Sequence, residues 1–211
     1  MGTITVNQIS TRAWNVLNDP AATRWPLAEF TDWINDASRE IALAQPESST
    51  VIANLALVAG TRQTLPARSI MLARLIRNMG VSGTAPGDAT RQASMETMDL
   101  HAPAWHADTA SLVVKNWFMD SRSPRIYYVW PPMASATFVE AEYSVIPVLL
   151  TLGTDTINLD DIYVNPIVDY VLWRAFSKDI EIPGMKSKAD KHRSAFDEAL
   201  SLTKAGEEST K

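Results

Sequence analysis

The 211-residue chain is 46% apolar and 20% charged, a balance that supports a folded core and excludes wholesale disorder. Its net charge of −5, with no dense Lys/Arg block, argues against a nucleic-acid reader, which needs a basic face to displace counterions from phosphates. The absence of cysteine excludes disulfides, thiol nucleophiles and Cys-based zinc sites, and suits folding in a reducing cytoplasm.

No apolar run approaches the roughly 18 residues needed to span a bilayer. The opening Met1-Gly2-Thr3-Ile4-Thr5-Val6 is read as neither a secretory signal nor, with Val6 where Ser or Thr is needed, a myristoylation site. The length fits one domain, or one with a sizeable insertion.

The first helix is expected from Val6 to Asn18, with Thr5 as its cap and Val6, Ile9, Ala13, Val16 and Leu17 on one stripe. Asn18-Asp19-Pro20 ends it, because proline cannot continue the hydrogen-bond ladder. A second helix opens at Trp25-Pro26, buries Leu27, Phe30, Ile34, Ala37 and Ile41, and closes at Gln45-Pro46. Trp14 and Trp33 sit at the stripe margins, where aromatics close a helix–helix seam or touch a neighbouring subunit.

The middle of the chain changes period. Val51–Val58 reads as a strand, Ala59-Gly60 as a turn and Thr61–Leu65 as the returning strand before Pro66. Ile70–Arg77 reads as a strand or a short helix, length and turn context favouring the strand; Gly80–Gly87 reads as a loop, and 88–105 has no clear period. Ser111–Met119 reads as a strand paired with the one beginning near Arg125. Ile126–Trp130 is the strongest β signal, with Pro131-Pro132 as its stop. Thr137–Val145 alternates, Val139, Ala141, Tyr143 and Val145 against Glu140, Glu142 and Ser144, as in an antiparallel sheet with one wet face.

Helix returns after Leu159. Asp160 and Asp161 stand at its positive end, and Ile162–Phe176 is apolar nearly all round, so it should be the most buried helix. Ile180–Met185 is a loop, Ser187–Thr203 an amphipathic helix with Ala189, His192, Phe196, Ala199 and Leu200 on one side, and 206–211 a polar end expected to fray. The expected fold is therefore α+β and a single domain. Helical parts at about 1–46 and 158–205 form a bundle, and a largely antiparallel β-rich insertion occupies about 50–150.

Few constellations could carry chemistry. Asp99, His101, His106 and Asp108 have metal-ligand residue types, but their spacing matches no helical two-His motif, and a solvated polar loop outweighs a metal site. His192 on an apolar helix face reads as a packing residue. Glu140 and Glu142 share one strand face and do not flank a substrate as a glycosidase pair must. Asp169 and Arg174 interrupt the apolar helix and need separate partners, for which Arg39 and Glu40 on the N-terminal helices are candidates. No nucleophile elbow, Walker loop or Rossmann fingerprint is present, and no catalytic, cofactor-binding or metal residue is assigned.

Four stretches together resemble the head-to-tail adaptor (neck or connector) proteins of tailed bacteriophages, in that family's order. They are Trp25-Pro26-Leu27-Ala28-Glu29-Phe30-Thr31-Asp32-Trp33-Ile34-Asn35-Asp36-Ala37 with Glu40-Ile41; Leu55–Pro66; Tyr127-Tyr128-Val129-Trp130-Pro131-Pro132; and Asp169–Asp179. The resemblance implies a structural virion protein of the neck, assembled in the host cytoplasm, with no catalysis and no cofactor. It implies a homo-oligomeric ring, twelvefold, below the portal protein and above tail, nozzle or tail-fibre proteins. Genomic DNA would pass through without sequence-specific binding, and no membrane is involved. Another neck or tail-completion protein is the alternative, and a metal-dependent hydrolase using Asp99, His101, His106 and Asp108 is a more distant one.

Overall fold

A computed structural model describes residues 2–120 and 122–208, with side chains through 201. The fold is α+β, and the chain divides into two compact units, 1–49 with 147–211, and 50–146. The first is helical and built from both ends of the chain; the second is the β-rich insertion.

In the helical unit, α1 (Val6–Leu17) begins with a capping box: Thr5 accepts from the Gln8 N–H, and the Gln8 side chain accepts from the Thr5 N–H. Asn18 ends it in the left-handed conformation, φ 54°, one residue short of the expected end. Val16 leaves the expected stripe and is 52% exposed, because the buried face is set by Val6, Ile9 and Ala13. α2 (Leu27–Ala44) follows Pro26 and buries Phe30, Trp33, Ile34, Ala37 and Ile41. Both marginal tryptophans serve the bundle: Trp14 stacks on Phe30 at 5.5 Å, and Trp33 is buried.

α4 (Val164–Lys178) is the central helix. It buries Ile167, Tyr170, Val171, Leu172, Ala175 and Phe176 against residues of α1, α2 and α5 (Met185–Glu208). A single 3-10 turn, Asp161–Tyr163, precedes it, and the Asp160 carboxylate accepts from the Ile162 N–H. Ile162 therefore lies outside the buried helix and is 64% exposed, contrary to expectation. α5 starts two residues earlier than the period suggested, directly after Pro183-Gly184, and continues to Glu208. Of the end expected to fray, 206–208 are helical, and 209–211 lie outside the described residues.

The β unit has two sheets. β1 (Thr50–Leu57), β7 (Thr137–Val145) and β3 (Ser69–Asn78) form an antiparallel sheet in the order β1-β7-β3. β2 (Gly60–Thr64), β6 (Ile126–Met133), β5 (Asn116–Met119) and the two-residue β4 (Arg91–Gln92) form the other in that order, and only β4–β5 is parallel. Leu55, Leu57, Leu72, Val139 and Ala141 from the first sheet share a buried cluster with Trp117, Tyr127, Val129 and Met133 from the second. The unperiodic stretch 88–105 contains β4 and the short α3 (Met95–His101).

Three strand expectations need correction. β1 and β2 are not a hairpin. Each joins a different sheet, β1 beside β7 and β2 beside β6, and the Gln63 side chain bonds both the N–H and C=O of Val58 at the corner between them. Pro131-Pro132 does not stop β6, which continues to Met133. Beyond Trp130 that strand accepts, with Pro132 C=O taking the Ser111 N–H, so the missing proline donors are not needed. The expected strand over Ser111–Met119 shrinks to Asn116–Met119, with Ser111 making one isolated bridge to Met133.

Candidate functional site

Three of the four residues with metal-ligand chemistry, Asp99, His106 and Asp108, bond or stack on neighbouring side chains. Asp99 accepts from Trp105 Nε1 at 2.7 Å, and Asp108 accepts from Trp130 Nε1 at 2.7 Å. His106 stacks on the buried Trp105 at 3.7 Å, with Nδ1 at 2.8 Å from the Thr61 hydroxyl. His101 is exposed at the end of α3. Among the described residues, no group of three or more His, Asp or Glu could hold a metal ion.

The remaining charged candidates form cross-element pairs. Glu142 and Glu140 of β7 face Arg74 and Arg77 of β3, with N···O distances of 2.6 and 2.8 Å. The face expected to be wet thus carries a row of half-exposed ion pairs, each worth at most about 1 kcal/mol. Arg174 reaches α2 as expected, but at Asp36 (3.4 Å), which also holds Arg39. Asp169 does not reach the N-terminal helices. It meets His192 Nδ1 of α5 at 2.8 Å, and the His192 ring stacks on Phe176. Glu40 is taken by Arg193 of α5. Hydrogen bonds to Glu40 and Asp197 outweigh the cost of burial and push the Arg193 guanidinium pKa up.

Exposed apolar surface is the unexplained feature. In the helical unit Val148, Leu149, Leu152 and Ile162 are 52–64% exposed, and Ile180 and Ile182 are 49% and 43% exposed. In the β unit, β1 is an edge strand of eight uncharged residues with Ile52 exposed. Large apolar side chains facing solvent in groups mark surfaces that meet a partner. Sequence reasoning missed the first group by placing Ile162 in the core. The signal that could have found it is the cap: a residue two after the capping Asp160 belongs to the first turn, before the buried face begins.

A fold that pairs most of its polar candidates within the chain and still leaves large apolar side chains exposed has the makings of an assembly protein. The family comparison agrees: the chain belongs to the SU10 adaptor protein family, whose model matches residues 4–210. That is a structural phage protein family, and the chain is no enzyme. No curated protein matches the chain. Among the described residues, no helix is long and apolar enough to cross a membrane.

Proposed function

We propose that the chain forms a ring beneath the portal, joins the capsid to the tail and continues the DNA channel, with twelve copies per ring. The observation that carries this reading is the family match from residue 4 to 210, which spans both the helical unit and the β insertion. The adaptor role therefore belongs to the fold as a whole. The grouped apolar residues give such a subunit surfaces to bury against its neighbours, the portal above and the tail or nozzle below. A mildly acidic wall suits a conduit, since it repels phosphates that must slide past.

Cryo-microscopy of the phage particle tests this. A closed ring of this chain, in contact with the portal on one side and tail proteins on the other, is the expected density. A particle in which the chain lies away from the portal would instead make it another neck or tail-completion component.

A further inference from the structure

We infer that the ring is closed by two different faces of the helical unit: an acidic apolar face at the start of α4 docks on a basic apolar face at its end in the next copy. This rests on the ring reading above.

The first face surrounds the N-terminal ends of α1 and α4. The Asp161 carboxylate holds the Thr3 N–H and hydroxyl, while the carbonyls of Asp155 and Gly153 accept from Val6 and Asn7. The exposed Leu152 and Ile162 are thus each one residue from a group that holds the segment Thr3–Asn7 leading into α1. Residues 148–162 contain three aspartates and no Lys or Arg. Neither Asp155 nor Asp160 forms an ion pair among the described residues; both carboxylates take backbone N–H groups instead.

The second face lies where α4 passes into α5. Exposed Ile180 and Ile182 are followed by Lys186, Lys188 and Lys191, with one acid, Asp190, among residues 185–192; Arg193 beyond them is held by Glu40 and Asp197. Asp179 is already held by Arg24, and Asp190 by Lys186, which leaves Glu181 and Glu198 as the nearby carboxylates outside any ion pair among the described residues. Lys188 lies over the Phe176 ring, and Lys191 meets no carboxylate among the described residues. Beside the two isoleucines lies a shallow hollow lined by Lys186 and Lys191 and by two acids, Asp190 and Glu198, together with Gly184 and Ala195.

Topology makes these faces meet between copies and not within one. Their apolar residues sit at opposite ends of the 15-residue α4, Ile162 before it and Ile180 and Ile182 after it, about 22 Å apart at 1.5 Å per residue, while Lys191 lies beside the middle of α4, where its neighbour His192 meets Asp169 and Phe176. Opposite charge and apolar content on two distinct faces of one unit define a heterologous contact, which closes into a ring when repeated about an axis. A self-complementary pairing would instead put like charges together and stop at a dimer.

The absence of native cysteine makes the test specific. Phage particles carrying Ile162→Cys with Ile182→Cys are treated with a bis-maleimide cross-linker and run on a denaturing gel. A ladder of covalent multimers is expected from the double variant, and monomer from each single variant. Leu152→Cys with Ile180→Cys is the replacement pair should the first not assemble. Lys188→Glu with Lys191→Glu is expected to lose the ring while the purified chain keeps its helical circular dichroism. Dimers from a single variant, or monomer alone from both double variants in particles that display the ring, would overturn the assignment of faces and leave the adaptor reading intact. Particles with no ring of this chain would overturn the adaptor reading itself.

Discussion

Four buried amide side chains hold the irregular parts of this chain. Asn35 donates to the Leu150 carbonyl and accepts from the Leu150 N–H, both at 2.9 Å. Asn78 donates to the carbonyls of Asp88 and Val114 and accepts from the Val114 N–H. Gln63 does the same for Val58, and Gln45 joins the Leu200 carbonyl to the Tyr163 hydroxyl. An amide offers one donor group and one acceptor, as a peptide unit does, so it pairs with a segment that has no strand beside it. Asn35→Leu or Asn78→Leu leaves two buried backbone groups without partners. Each is expected to lower stability by roughly 1–3 kcal/mol, seen as a fall in the urea midpoint with unchanged slope. Isolated Asn and Gln have no periodic signature, so nothing in the sequence marks these four positions. Acid pH acts at the same scale. Asp155 takes the N–H groups of Thr151 and Leu152, which hold its carboxyl below its ordinary value of 3.8. The stability this supplies is fully present above 3.8 and is lost as pH falls through the lower folded value. Asp155→Asn should therefore be less stable than the parent at neutral pH. The gap should narrow in urea titrations taken well below pH 3.8, and a gap independent of pH would rule the charge out as its origin.

At the scale of elements, the helices were legible because a buried stripe repeats every 3.6 residues along the chain itself. Phe30, Ile34, Ala37 and Ile41 are all fully buried on α2, as their spacing requires. Strand identity was legible too, since the alternation of Val139, Ala141 and Tyr143 is local. Strand pairing was not. Val51–Val58, Ala59-Gly60 and Thr61–Leu65 have the form of a hairpin, yet β1 pairs with β7 and β2 with β6, partners about 60 to 95 residues away in sequence. The turn residue still matters, for another reason. Gly60 has φ +95°, and a Cβ placed there would meet nothing within 4 Å. Gly60→Ala should thus cost about 1–2 kcal/mol through backbone strain alone, without disturbing packing. Calorimetry of the variant, with an unchanged near-ultraviolet spectrum of the buried tryptophans, measures that cost. A loss well above this range would mean that the corner geometry had changed.

For the whole molecule, the insertion is a closed excursion from the helical unit. The chain enters it through β1 and leaves through β7, and these strands are direct neighbours, with Thr50 opposite Ser144. Each unit also has its own apolar cluster: one around Phe30, Ile34, Ile167 and Val171, the other around Leu72, Trp117, Tyr127 and Val139. A unit with its own core and adjacent ends has what independent folding requires. Residues 50–146 expressed alone are therefore expected to unfold cooperatively in urea, with near-ultraviolet signals from Trp105 and Trp117 as in the full chain. Joining Ser49 to Pro147 through about six Gly/Ser residues, which reach roughly 20 Å when extended, should likewise give a folded helical unit. The helical piece alone should keep the charge-complementary faces at the two ends of α4, so it should self-associate more strongly as salt is lowered, whereas the β piece should not. Sedimentation of both pieces across a salt series separates the cases. A salt-dependent β piece beside an indifferent helical piece would move the joining surface into the insertion, where the uncharged edge of β1 is the surface to examine.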